Sequence, residues 1–277
     1  MASPRRNTLR SPGAAFRLSV LLIFFPLVLS GAYAQPKGRT RSVTYQNVSL
    51  AFDAGLAKDF VAETIPAVPL EEKTDKPDGV APAHVLITLR DSYAAKLKRD
   101  TESIYALPQI AVFPTRDPGD PRFDEEYPTM RGAVNDLSKL LSRRAGSVSE
   151  AIPFLPWADE HQLFIVKKRL VRFRNGRGVL FLTQYEQEES PVSNASLVYT
   201  FQGLTDDNAW YVSAVFPVAA QGLTPPPGEA GSAAFHAGYD AYIKRTTENL
   251  NRLPARRFTP HLLLLEEMIR SIKVGPR

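Results

Sequence analysis

The alternation of apolar and polar positions is clearest between residues 163 and 218, where four apolar runs are separated by turn formers. Leu197, Tyr199 and Phe201 occupy every second position of one run, and Trp210, Val212, Ala214 and Phe216 those of the next. A spacing of two puts the large side chains of a strand on one face. Tyr211, out of phase with Trp210, is then the aromatic expected to face water. Asn175-Gly176 lies between the runs 163–174 and 178–185 and predicts a tight hairpin whose two central residues take positive φ. Pro191 with Asn194, then Asp206-Asp207-Asn208, mark the next two connections. The expectation is a four-stranded antiparallel meander.

Upstream, residues 43–53 read as a short strand, alternating at Val48, Leu50 and Phe52, and 60–68 as a second extended piece. Residues 70–82 form a charged, proline-containing loop. A strand over 84–90 puts Val85, Ile87 and Leu89 on one face, and another over 109–113 is stopped by Pro114. After a turn-rich stretch over 115–127, Met130, Val134, Leu137 and Leu141 recur at helical spacing and predict an amphipathic helix over 126–144 that covers a sheet face. Beyond the Gly/Thr/Pro loop 222–232, two more helices are expected. The first spans 233–250, with Ser232 as its N-cap and Phe235, Tyr239, Tyr242 and Ile243 on one face; the second spans 260–272, with Thr259 as N-cap and Pro260 in the first turn. A sheet followed by helices on one side is an α+β arrangement: an antiparallel β-sheet meander with amphipathic helices packed on it, as a single domain over 43–277.

The N-terminus changes how the composition is read. Arg5, Arg6, Arg10 and Arg17 precede an apolar run over 18–29, and Ala32 and Ala34 satisfy the small-residue pattern for cleavage between Ala34 and Gln35. The run is shorter than the roughly 20 residues a spanning helix needs, and it contains Pro26. A cleaved signal peptide over 1–34, by the general or the twin-arginine route, is expected, followed by a flexible polar leader over 35–42. The mature product is expected to be soluble and secreted or periplasmic. The leading 34 residues hold four of the 34 basic side chains and none of the 29 acidic ones, so the formal charge of +5 falls to +1 without them. A nearly neutral chain gives no case for a nucleic-acid partner. The absence of cysteine excludes disulfides, thiolate nucleophiles and cysteine metal sites.

The run FRNGRGVLFLTQY over 173–185, then Pro191, Asn194 and LVYTFQGLTDDNAWYVSAVFPV over 197–218, resembles the C-terminal core of a family of exported bacterial proteins of unknown function. The likeness extends more loosely to NVSLAFD (47–53), QIAVFP (109–114) and IPFLPWADEHQ (152–162). A weaker similarity, of layout, is to Mog1/PsbP-type α/β domains, whose strand meander ends in an amphipathic helix like LLLLEEMIRSIKV (262–274). The resemblance implies export and an α+β core, and it supplies no catalytic residue to carry over.

Candidate chemistry is sparse. The histidines His84, His161, His236 and His261 make no HExxH and no i, i+4 pair; Asp159-Glu160-His161 point in different directions on any regular element, and Asp240 lies one turn from His236 as an exposed pair. There is no nucleophile elbow or phosphate loop, and no cofactor motif. Asp124-Glu125-Glu126 and the acids of 186–189 read as solvated loops. Lys167, Lys168, Arg169, Arg172, Arg174 and Arg177 are the densest local charge, either an anion-binding patch or an edge neutralised by Glu186, Glu188 and Glu189. Lys168, Arg172, Arg174, Trp210 and Tyr211 are therefore the candidate ligand-binding residues, with no catalytic and no metal-binding candidate. The leading expectation is an exported, non-enzymatic binding module with an envelope polymer or a protein as partner. The alternative is a hydrolase of envelope or extracellular polymer whose carboxylates come together from distant segments.

Overall fold

The computed structural model describes residues 39–68, 80–97, 99, 103–117, 119, 122–142, 151–155 and 160–276. In chain order the strands are β1 (Thr40–Tyr45), β2 (Val48–Asp53), β3 (Ala57–Ile65), β4 (His84–Ser92) and β5 (Gln109–Pro114). Helices α1 (Phe123–Glu126) and α2 (Pro128–Ser142) follow, then β6 (His161–Gln162), β7 (Val166–Phe173), β8 (Gly176–Thr183), β9 (Tyr185–Glu186), β10 (Val198–Thr205), β11 (Trp210–Pro217) and β12 (Ala219–Ala220). Last come α3 (Ala233–Arg252), β13 (Phe258–Thr259), α4 (Leu262–Ser271) and β14 (Lys273–Val274). The fold is α+β, and the described residues belong to one compact unit.

The centre is a seven-stranded antiparallel sheet in the order β3-β4-β5-β11-β10-β8-β7. The expected meander is its β7-β8-β10-β11 half. Strand β11 also pairs with β5, Trp210 opposite Pro114 and Val215 opposite Gln109, which joins β3-β4-β5 to the meander. A second sheet, β1-β2-β14, ties the N-terminal hairpin to the C-terminus.

Helices cover both faces of the large sheet, where the sequence suggested one. On the first face Val85, Ile87, Ile110, Phe173, Leu180, Tyr199, Phe201, Val212 and Phe216 form a core with α3, α4 and β1-β2. On the second, Phe113, Val179, Phe181, Leu204 and Tyr211 meet Met130, Ala133, Leu137, Leu140 and Leu141 of α2, with Ile152 and Leu155. Every residue of β10 and β11 is buried, so these strands lack the wet face that simple alternation implies. Tyr211 is correspondingly not exposed: it is fully buried under α2, and its hydroxyl donates to the Pro153 carbonyl at 3.2 Å.

Several local expectations shift. The stretch 43–53 is a hairpin, turning at Gln46 (φ 47°), and its first strand begins at Thr40, inside the expected leader. The β7-β8 turn is formed by Arg174 and Asn175, neither with positive φ, because Phe173 pairs with Gly176. Gly176 is needed for space: a Cβ there would lie 2.1 Å from Phe173 Cζ and 2.4 Å from the Leu204 carbonyl oxygen. The Asn175 side chain grips β14, donating to the Val274 carbonyl at 2.7 Å and accepting its N–H at 3.1 Å. Ser232 caps α3 as expected, its hydroxyl accepting the Phe235 N–H at 3.1 Å. The cap of α4 is His261, whose Nδ1 accepts the Leu263 N–H, and Thr259 belongs to β13. The helix expected over 126–144 is α2, preceded by the single turn α1. No helix among the described residues is long and apolar enough to cross a membrane. The cleavage-site residues Ala34 and Gln35, and Asp159, lie outside the described residues.

Candidate functional site

At one end of the large sheet, the ends of four strands and the tip of the β1-β2 hairpin surround a cleft of about 320 Å³. Trp210 opens β11 there; Pro114 ends β5, Ala83 and His84 lead into β4, Thr64 lies near the end of β3, Gln46 and Asn47 form the hairpin turn, and Pro276 closes the C-terminal side. Trp210 is held from behind. Its backbone N–H donates to Thr205 Oγ1 at 3.1 Å, and Thr205 Oγ1 donates to Asp207 Oδ1 at 2.5 Å. Asp207 also accepts the Ala209 N–H at 3.0 Å, which fixes the turn with Asn208 at φ 54°. The Thr205 hydroxyl, then the Ala209 N–H, hold the Asp207 carboxyl below the usual range. Trp210 is only 8% exposed, packed in the first core, and it lines this cleft.

The polar rim is pre-ordered. Gln46 Nε2 donates to Thr64 Oγ1 at 2.6 Å and Asn47 Nδ2 to the Gly275 carbonyl at 3.2 Å, which leaves the two amides' carbonyl oxygens as acceptors turned by fixed side chains. His84 Nδ1 lies 2.9 Å from the Pro82 carbonyl, and its ring packs on Phe113 at 4.2 Å between centroids. Aromatic surface beside amide, hydroxyl and imidazole groups can take a small polar ligand by apolar contact and hydrogen bonds, in a volume at the lower end of ligand pockets. On the opposite face His84 also borders a cavity of about 160 Å³ lined mainly by Ile65, Leu86, Ile104, Ala111, Phe113 and Val215, which is small for an organic ligand.

The basic residues of β7 do not join this cleft. Arg172 pairs with Asp206 at 3.1 Å, and Arg169 with the buried Glu266 of α4, to which Arg270 also donates at 2.7 Å. Lys167 sits in a β-bulge at φ 53°; its ammonium donates to the Leu253 and Asn251 carbonyls at the C-terminus of α3. The neutralising acids are thus Asp206 and Glu266; Glu189 instead contacts His236 Nδ1 at 2.8 Å, replacing the expected partner Asp240. Glu186 pairs with His161 across β6-β9. Lys168 lines an open groove of about 630 Å³ with Lys167, Gln162, Phe164 and Asn251, and partial burial lowers both ammonium groups from their ordinary value. Arg174 is exposed in the β7-β8 turn. Of the five candidate binding residues, Trp210 lines the cleft, Lys168 the groove, Arg172 is ion-paired, Arg174 is exposed and Tyr211 is buried.

Periodicity missed one titratable cluster. Tyr105 and Tyr185 stack at 5.0 Å, with Phe154 against Tyr185 at 4.6 Å. The Tyr105 and Tyr185 hydroxyls and Glu160 Oε2 are buried without a partner in hydrogen-bond geometry, although Tyr105 and Glu160 lie near enough to affect each other's ionisation. Burial pushes the Glu160 carboxyl up, the Tyr105 hydroxyl opposes this, and Glu186 adds to the rise. Burial also raises both phenols. None of Tyr105, Glu160, Tyr185 or Glu186 lines either cavity or the groove described above. Among the described residues no group of three His, Asp or Glu side chains is placed to hold a metal ion. No protein-family model matches the chain, and no curated protein matches it in sequence.

Proposed function

We propose that the protein is exported and acts outside the cytoplasm as a non-enzymatic binding module, taking a small polar ligand of saccharide size in the Trp210 cleft. The observation that carries this is Trp210 lining a cleft of about 320 Å³ together with Gln46, Asn47, Thr64 and His84. The basic run and small-residue cleavage pattern over 1–34 support export, and the resemblance of the meander to exported bacterial proteins points the same way. The hydrolase alternative needs close-set acids in a cleft. Glu160, an acid whose carboxyl is raised, stands with its neighbour Glu186 outside the lining of the cleft, which favours binding over catalysis.

The test is a fluorescence titration of the Trp157→Phe variant, in which Trp210 is the remaining indole, against neutral mono- and disaccharides and peptidoglycan fragments. Saturable change in Trp210 emission is expected, weakened at least tenfold by Asn47→Ala with His84→Ala, both at the rim. Trp210→Phe, followed by calorimetry because it removes the reporting indole, serves as a second variant that keeps an aromatic body in the core. Binding that survives the rim variants would move the site elsewhere; turnover of any saccharide would replace the binding module with an enzyme.

A further inference from the structure

The near-neutral charge of residues 35–277 conceals an uneven distribution. Residues 35–243 hold 22 basic and 26 acidic side chains, whereas 244–277 hold eight basic and three acidic ones. An excess of cations therefore sits on the C-terminal half of α3, on α4 and on the chain between them. Two of the three acids there are already engaged. Glu248 pairs with Arg252 at 3.5 Å, and the buried Glu266 pairs with Arg169 of β7 and, at 2.7 Å, with Arg270. Glu267, exposed on α4, is the third.

The excess is sharpest just beyond α3, where the chain makes a single 3₁₀ turn over Ala255–Arg257 against which α4 packs. The turn is fixed from both sides: the Arg257 N–H donates to the Pro254 carbonyl at 2.9 Å, and the Arg257 carbonyl accepts the Gln221 N–H at 3.0 Å. Arg256 and Arg257 are exposed and make no ion pair with a described residue. Cations near a helix C-terminus ordinarily answer its negative end. Here that end is answered already, by Arg252 in the last turn of α3 and by the Lys167 ammonium on the Asn251 and Leu253 carbonyls. Arg256 and Arg257 are thus surplus to the helix, and as adjacent like charges they repel each other.

Apolar side chains share this corner. Leu263, in the first turn of α4, is 44% exposed. Leu253, Ala255 and Leu264 in the same stretch are only partly buried. Arginines interspersed with half-covered leucines suit a surface that lies against lipid headgroups, the guanidinium groups meeting phosphates while the leucines reach toward the acyl boundary. A soluble anion would use the arginines and gain nothing from the leucines.

We infer that this corner, centred on Arg256, Arg257 and Leu263, docks the protein reversibly on a bilayer that carries anionic phospholipid. None of the three lines the Trp210 cleft, so the docking surface is separate from the proposed ligand site.

The test is co-sedimentation with lipid vesicles of the chain from Gln35 onward, which contains every described residue and lacks the apolar run over 18–29. Vesicles of phosphatidylglycerol and phosphatidylcholine in equal parts should carry it down at low salt. Binding should weaken at least tenfold on phosphatidylcholine alone, and likewise at high salt, where the charges are screened. Arg256→Glu with Arg257→Glu should weaken binding to the mixed vesicles at least tenfold. Lys58→Glu with Arg90→Glu makes an equal change of charge at exposed positions on β3 and β4, toward the far edge of the sheet from β7, and should leave binding within twofold of wild type. Leu263→Ser, which keeps every charge, should weaken vesicle binding at least threefold. Circular dichroism checks that each variant folds. No binding to the mixed vesicles, or equal loss in the two charge variants, would overturn the inference. So would a Leu263→Ser variant that binds as wild type, which would make the corner a site for soluble polyanions instead.

Discussion

Glu160 is the side chain whose setting most clearly departs from what its neighbours in the sequence suggest. Burial raises its carboxyl, Tyr105 partly offsets the rise, and Glu186 reinforces it. An acid whose folded pKa lies above its unfolded value, about 4.3 for a glutamate, holds more protons folded than unfolded between the two values. Stability conferred at low pH therefore falls as pH rises through that window and is constant above it. Glu160→Gln removes the titration, so the variant's melting temperature should rise relative to wild type above the window and vary less across it. Thermal melts at a series of pH values check this; a variant with the wild-type slope would place the titration on another group. Nothing in 159–161 announces this environment, since Glu160 reads as part of a solvated acidic turn. Its neighbour Tyr105 is fifty-five positions away in the chain, and no periodicity connects the two.

The β7-β8 hairpin was legible at the scale of an element, though for a reason the structure changes. Asn175-Gly176 marks a turn in the sequence, and a turn is there, but its two residues are Arg174 and Asn175 with ordinary φ. Gly176 lies inside β8, where the Phe173 ring and the Leu204 carbonyl occupy the space of a Cβ, and a Cβ at Gly178 would likewise lie 2.3 Å from the Gln202 carbonyl oxygen. Phe173 and Phe201 pack edge to face at 5.9 Å over this strip of glycines. Gly176→Ala must displace backbone as well as a ring, which costs about 1–3 kcal/mol or more by overpacking, readable as a lower urea midpoint with an unchanged slope. An alanine tolerated without loss would return Gly176 to a turn role. Helix α2 was equally legible from its apolar stripe, yet the face it covers was not, because a stripe records that something is buried and not against what.

The whole sheet depends on pairing between strands about a hundred residues apart, β5 with β11, and this is where sequence patterning had least to offer. Alternation identified β10 and β11 and ordered the meander, since sequential strands tend to be neighbours. It left β4 and β5 as separate strands because edge-to-edge pairing has no local signature. It also left the Trp210 cleft unseen, since its walls come from the ends of β3, β4, β5 and β11 and from the hairpin turn. If the two halves form one cooperative unit, amides in β5 should exchange as slowly as those in β10 and β11, which are buried on both faces. Hydrogen exchange followed by mass spectrometry tests this with peptides covering 109–114, 198–217 and 57–65. The first two should exchange last and together, and the β3 peptide, on the open edge with most of its residues partly exposed, should exchange first. Exchange of 109–114 in step with 57–65 while 198–217 stays protected would mean that β3-β4-β5 opens as its own unit. The Trp210 cleft, walled from both halves, would then be opened by the same motion.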